Sequence, residues 1–448
     1  FAFSEEKLGT VEVIGISPLP GIDIDRNKVP NASQSLREAD MESSTGTTIV
    51  DLLGEKLTGV TIKDVQNSPF QKNLDYRGFT AAPLLGESQG LAVYLNGTRI
   101  NEGFGDTLQW ELVPEAALTN IDLMSANPVF GLNALGGSLA LTTKKGLDYL
   151  NTNSSIENHF EVGGADWVNG NIELGAGTET QGLYVAMENS YDGGWRDNSA
   201  GDVKRLFVNY GILGDNFDYD FTFMNADSNL NGNGVSPTEL LKVRRESVFT
   251  WPDFTSNKVY LAASNANFYL KDDSAINTSI YYRRLIRDTM NADELDAEEC
   301  AEDNEAHAEQ LEDDFGTDDE PICGEADGDN YEVLIDQFGN AISNNDAIRK
   351  YGLLNHSSTM TVTWGGSAQY NLNTKYLDKM HNIIVGASID KTRTAFHSRG
   401  ELGQLHNNRT ITNLHNSDGG HITLEAIREH TGANGGKEDE NERGDVGS

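Results

Sequence analysis

The sequence predicts a membrane all-β protein: an antiparallel transmembrane β-barrel, incomplete over these residues, that follows a compact α+β domain. Three observations predict it. From about residue 155 apolar and polar residues alternate with a period of two, the periodicity of a strand with unlike faces. Tight turns and long polar connections alternate between those runs, as in outer-membrane barrels. Before residue 148 the texture differs, with helical spacing and short strands mixed in one segment.

Residues 1–30 read as a tether, punctuated by Gly15, Pro18, Pro20, Gly21 and Pro30. Its one extended run is Thr10-Val11-Glu12-Val13-Ile14-Gly15. Phe1-Ala2-Phe3-Ser4 fits the mature end of a processed secretory signal and equally an arbitrary start. Residues 31–148 form the α+β domain. A short helix is expected at Thr47–Leu53 and strands at Gly59–Ile62, Leu91–Leu95, Ile121–Leu123 and Ser138–Thr142. Asn96-Gly97 marks a hairpin turn, and Pro114 suits the first turn of a small helix before Glu115.

In residues 149–424, the first part of the barrel, Leu183, Val185 and Met187 alternate with Tyr184, Ala186 and Glu188. Leu206, Val208, Tyr210 and Ile212 alternate with Arg205, Phe207, Asn209 and Gly211, and their apolar set is expected on the lipid side. Roughly nine such runs occur, each near the length that crosses a tilted bilayer path. Turns are expected at residues 178–180, 214–216 and 271–273, with long connections near 228–257 and 290–356. About nine strands cannot enclose a domain-filled lumen, and open edges are not tolerated in lipid, so the barrel is incomplete here. Residues 425–448 are charged, Gly-rich and strand-poor, and read as disordered or atypical.

Seventy acidic residues against 33 basic ones give a formal net charge of −37, which repels nucleic-acid phosphates and excludes DNA or RNA as partners. No apolar run reaches the length of a transmembrane helix. Phosphate-binding Gly motifs, HExxH and GxSxG are absent, so neither a nucleotide site nor a hydrolase is indicated, and no cofactor or metal is expected. Cys300 and Cys323 lack zinc-site spacing; one local disulfide in an oxidising compartment fits them better. They lie within a segment, Asp288–Glu332, dense in carboxylates and free of Lys and Arg. It reads as a solvated loop, with cation capture as the alternative.

Two motifs in the α+β domain have a physical reading of their own. Tyr76-Arg77-Gly78-Phe79 sets a cation between aromatics beside a glycine where the chain bends. The run from Asn127 and Pro128 through Gly131 to Gly136 and Gly137 is punctuated for close backbone packing. Together with residues 51–79, 90–113 and 120–146 in that order, these motifs resemble the plug of TonB-dependent receptors. The resemblance is strong over residues 10–146 and weaker over the barrel.

It implies an outer-membrane protein of a Gram-negative bacterium, surrounded by outer-membrane lipid, and not an enzyme. A scarce bulky ligand such as a ferric siderophore would be imported with inner-membrane energy. It implies that residues 10–15 are a TonB box, adding a strand to the periplasmic energiser TonB. It implies that Arg77 pairs with barrel carboxylates; the plain alternative is a surface arginine. A signal-transducing receptor and a passive porin are the rival functions, and a soluble acidic cation-binding protein is a third.

Overall fold

The structure, a computed structural model, describes residues 13–15, 19, 23–25, 31–44, 48–270, 274–295, 297–299, 322–325, 331–334, 342, 351–377, 379–414 and 423–424. Two compact units result: one built from Phe1–Ala292, Asn355–Ser398 and Asn407–Thr410, the other from Asp293–Leu354, Arg399–His406 and Ile411–Ser448.

In the first unit, β1 (Val13–Gly15) and β2 (Asp23–Asp25) pair antiparallel, with Ile14 opposite Ile24. The α+β domain begins at β3 (Ser33–Arg37), a polar edge strand that the sequence pattern does not reveal. It runs into the short helix α1 (Glu38–Glu42). Helix α2 (Ile49–Lys56) starts where Thr48 accepts from the Asp51 amide, and it buries Ile49, Val50, Leu52 and Leu53. β4 (Val60–Lys63), β5 (Asn73–Tyr76) and β6 (Phe79–Ala81) form a three-stranded meander.

β7 (Leu91–Leu95) turns through Asn96-Gly97, both at positive φ, into β8 (Thr98–Arg99). β9 (Leu118–Ser125) and β10 (Gly137–Thr143) complete a five-stranded sheet in the order β3-β9-β10-β7-β8. The parallel pairing of β10 with β7 joins strands more than forty residues apart, beyond the reach of local patterning. All five residues of β7 are buried, which is why it reads as a continuous apolar run.

The wall follows: β11 (Ser155–Val162), β12 (Val168–Gly177), β13 (Gln181–Asp192), β14 (Gly201–Leu213), β15 (Phe217–Leu230), β16 (Phe254–Tyr269) and β17 (Ser274–Leu295). Helix α3 (Thr238–Val243) lies in the connection between β15 and β16. Neighbours in sequence are antiparallel neighbours in the sheet. In β14 Arg205, Phe207 and Asn209 are buried against the α+β domain. Leu206, Val208, Tyr210 and Ile212 lie on the half-exposed outer face, the register the alternation predicts. Phe217, Phe268 and Tyr269 lie by the short turns, as an aromatic girdle does.

The second unit holds a small sheet of β18 (Ala297–Glu299), β19 (Ile322–Glu325) and β20 (Tyr331–Val333), where the sequence pattern gives only a polar connection. Leu334, Ile342, Tyr351 and Leu402 form its core. The wall sheet continues from β17 through β21 (Tyr351–Tyr376), β22 (Lys379–Leu405) and β23 (Ile411–Asn413), while β24 (Thr423–Leu424) pairs with β22. The 26 and 27 residues of β21 and β22 exceed the expected crossing length. At about 3.3 Å per residue each spans roughly 85–90 Å, well past a hydrocarbon core of about 30 Å. Among the described residues no helix is long and apolar enough to cross a membrane. The turn expected at 271–273 and the atypical segment 425–448 lie outside the described residues.

Candidate functional site at the plug–wall interface

The inner face of the wall is covered by the α+β domain. One apolar cluster joins Leu53, Leu74, Leu91, Trp110 and Leu141 of the domain to Tyr184, Phe207, Met224, Leu261 and Leu285 of the wall. Polar ties cross the same interface, and most come from charged side chains on inward strand positions.

Arg205 of β14 is the most connected. Its guanidinium donates to Glu188 of β13 at 2.7 Å, to Glu115 at 3.0 Å and to the backbone carbonyl of Glu111 at 2.6 Å. Glu188 also accepts from the Ala116 amide at 2.6 Å, and Glu115 accepts from the Ile49 amide at the start of α2. Glu111 is 1% exposed, and its Oε1 accepts from Asn257 of β16 at 2.8 Å and from Ser228 of β15 at 3.4 Å. Burial pushes the Glu111 carboxyl up to about 7, against opposing pulls from its own backbone amide, Arg287, Asn257 and Arg205.

On β17, Arg283 pairs with Glu102, and Arg287 donates to the Pro83 carbonyl at 2.8 Å. Glu102 and Arg287 line a cavity of about 130 Å³ with Gln109, Thr289, Ser357 and Thr361. At the other end, Lys144 bonds Glu173 of β12 at 2.7 Å and Lys145 bonds Asp220 of β15 at 3.1 Å. The turn Gly146–Tyr149 then lies on glycines of three adjacent strands. A Cβ on Gly182 would stand 1.9 Å from the Gly146 carbonyl oxygen, one on Gly175 would meet Tyr149, and one on Gly211 would meet Leu147.

The motif residues read from the sequence have a different place. Tyr76 is buried at the end of β5, and Arg77 and Gly78, with φ of 55° and 88°, make the two-residue turn to Phe79. Asp75 holds that turn by accepting from the Gly78 amide at 3.1 Å. The second motif packs against the first: a Cβ on Gly136 would strike the Phe79 ring, and one on Gly137 would strike the Met124 carbonyl. Asn127 accepts from the Val129 amide at 3.1 Å, Pro128 begins a 3-10 turn, and Gly131 follows at φ 71°. These residues therefore set the internal packing of the domain.

Arg77 is exposed, with its guanidinium 5.0 Å from the centre of the Tyr76 ring, and it pairs with no carboxylate among the described residues. Ion pairs cross the interface in both senses: Arg205 and Arg283 of the wall meet Glu115 and Glu102 of the domain, while Lys144 and Lys145 of the domain meet Glu173 and Asp220 of the wall. Glu188, which alternates with Leu183, Val185 and Met187 along β13, is part of the Arg205 cluster. Thr10, Val11, Glu12 and Cys300 lie outside the described residues; of residues 10–15, Val13, Ile14 and Gly15 are described, as β1. Cys323 lies in β19, and the Cys300–Cys323 pairing falls outside what is described. Among the described residues no cluster of metal-ligand type occurs.

Residues 25–138 match the TonB-dependent receptor plug domain family. These residues are a TonB-dependent receptor plug domain. The wall around it has the matching fold. The unliganded ferric citrate transporter FecA superposes with a TM-score of 0.59 at 14% identity, over 83% of this chain and 49% of that one. The ferripyoverdine receptor of the Pseudomonas aeruginosa outer membrane, bound to ferripyoverdine, gives 0.56 at 11% identity, over 86% and 44%. The FpvAI–pyocin S2 complex gives 0.55 at 12% identity, over 87% and 45%. The chain thus spans about half the length of these solved structures. No curated protein matches it in sequence. TonB-dependent receptors are transporters, not enzymes.

Proposed function

We propose that this receptor imports a bulky nutrient of the ferric-siderophore class across the outer membrane of a Gram-negative bacterium. TonB would drive it by pulling on the tether that contains residues 10–15. The observation that carries the reading is the way the plug is held. Discrete ties from Arg205 to Glu115 and from Arg283, Lys144 and Lys145, and not apolar contact alone, fix it to the inner wall. Such ties can be exchanged for water one at a time, so a pulled plug can leave and return. Ligand recognition falls to the plug apex and the long connections, and the neighbours named for ferric citrate and ferripyoverdine support an iron chelate as the cargo class.

The tether carries the energy input in this reading. Val13–Gly15 is already extended, the conformation that strand addition to a partner sheet requires. Radiolabelled ferric-chelate uptake by cells expressing the receptor, with and without residues 10–15, tests it. Deletion is expected to abolish energised uptake and to leave surface binding of the chelate nearly intact. Undiminished uptake by the deletion strain would exclude these residues as the TonB contact.

A further inference from the structure

The Arg205 cluster holds more carboxylates than cations. Around Glu111 stand Glu115 of the plug, Glu188 and Arg205 of the wall and, from β17, Arg287. Asp51 of α2 acts on Glu115 from the plug side, but it is paired with Lys72 at 2.6 Å. Glu102 acts on Arg287, but it is paired with Arg283. With those pairs set aside, three carboxylates face two guanidiniums, with Glu111, Glu188 and Arg205 buried and Glu115 at the edge, its side chain 25% exposed. One surplus negative charge there is costly unless a proton cancels it.

The geometry names the carboxylate that would hold the proton. Burial raises Glu115 to about 7 as well, but Glu188 and Glu115 each receive a guanidinium hydrogen bond that favours the charged form. Glu111 does not: Arg205 bonds its backbone carbonyl, and the carboxyl meets the neutral donors of Asn257, Ser228 and its own backbone amide. Its Oε2 is buried without a hydrogen-bond partner. A carboxylic acid, protonated on Oε2, fits that environment better than a carboxylate does.

We propose that Glu111 is a proton-operated clasp: the docked plug holds one proton on this side chain and gives it up when the segment leaves the wall. The proposal rests on the reading that the plug moves from the wall during transport. Its direction follows from burial, which raises the docked carboxyl to about 7 from an ordinary 4.5. Between those values the docked state binds the extra proton, so acid favours docking and rising pH favours release. Loss of one proton per event makes the opening constant climb about tenfold per pH unit across that window.

Hydrogen exchange on the full chain in detergent tests this, with rates corrected for the intrinsic effect of pH. The opening constants of the amides from Trp110 to Ala117 are expected to rise about tenfold per unit from pH 5 to 7 in the unsubstituted protein. Glu111→Gln, which keeps the shape and the bond from Asn257 but carries no charge, is expected to flatten that slope at the low, closed value. A flat profile in the unsubstituted protein, or an unchanged slope in the variant, overturns the proposal. Infrared difference spectra of the unsubstituted protein between pH 6 and pH 8 give a second measurement independent of any variant. Loss of a protonated-carboxyl band as pH rises is expected, and its absence counts against the clasp. Neither readout needs ligand, TonB or uptake, so a failure of transport would overturn the transport reading and leave these results standing.

Discussion

Arg283 of the wall closes an ion pair with Glu102 of the plug, and the two side chains are 6% and 5% exposed. Burial pushes the Glu102 carboxyl up and Arg283 pulls it back, so each member depends on the other. Removing one partner strands a charge away from water, at a cost of about 3–5 kcal/mol. Arg283→Met is therefore expected to loosen the plug severely, and Glu102→Gln less so. The double variant should recover most of the loss, because no charge remains unpaired. Denaturation midpoints of the four proteins in detergent form the cycle, and additive effects would show that the pair does not act as a unit.

The glycine bed under Gly146–Tyr149 gives a steric prediction. Gly182 and Gly146 approach backbone to backbone, where no flexible side-chain end can yield. Gly182→Ala is expected to lift the turn from the wall and destabilise docking by about 1–3 kcal/mol, the usual cost of overpacking. Gly164 has no neighbour within contact of an added Cβ and serves as the control. Equal thermal stability of the two alanine variants would mean that the plug's exit is not held there.

Arg77 is predicted to be dispensable for docking. Its positive φ suits asparagine better than arginine, and its exposed guanidinium touches only the neighbouring Tyr76 ring among its own hairpin. Arg77→Asn should change stability by no more than about 1 kcal/mol, as the lost cation–π contact and the eased turn oppose one another. Rapid exchange throughout the plug in this variant would restore the role that the family resemblance implies for this arginine.

The contrast between Arg77 and Arg205 shows what the sequence could and could not convey. The wall was legible because lipid imposes an outward apolar face: Leu183, Val185 and Met187 of β13 had to alternate with something. What faces inward is unconstrained by lipid, so Arg205, Arg283 and Arg287 looked like ordinary polar positions. A signal was present, since a cation at an inward position in a strand with apolar flanks needs a counter-charge from whatever fills the lumen. Its partner could not be read, because Glu102, Glu111 and Glu115 are tens to nearly two hundred residues away in sequence. The edge strand Ser33–Arg37 was missed for a different reason: only Leu36 is buried, so no period of two is displayed. The short sheet of β18–β20 was hidden by a composition that reads as solvated loop.

The last prediction concerns Cys300 and Cys323, which we propose form a disulfide. Backbone pairing sets Glu298 opposite Cys323, so the segment leading to Cys300 runs beside β19. The bond would close a loop of 22 intervening residues, for which chain entropy gives about 3 kcal/mol. That contribution falls where it is most needed, since the intervening residues include ten mutually repelling carboxylates and few apolar side chains. An oxidising compartment favours the bond over two thiols. Peptide mapping of unreduced, alkylated protein should return one linked pair containing both cysteines, and two alkylated cysteines would refute it. Cys300→Ser and Cys323→Ser should then lower the stability of this segment equally, and the double variant no further, because either substitution already opens the loop. Unequal losses would point to separate roles for the two thiols.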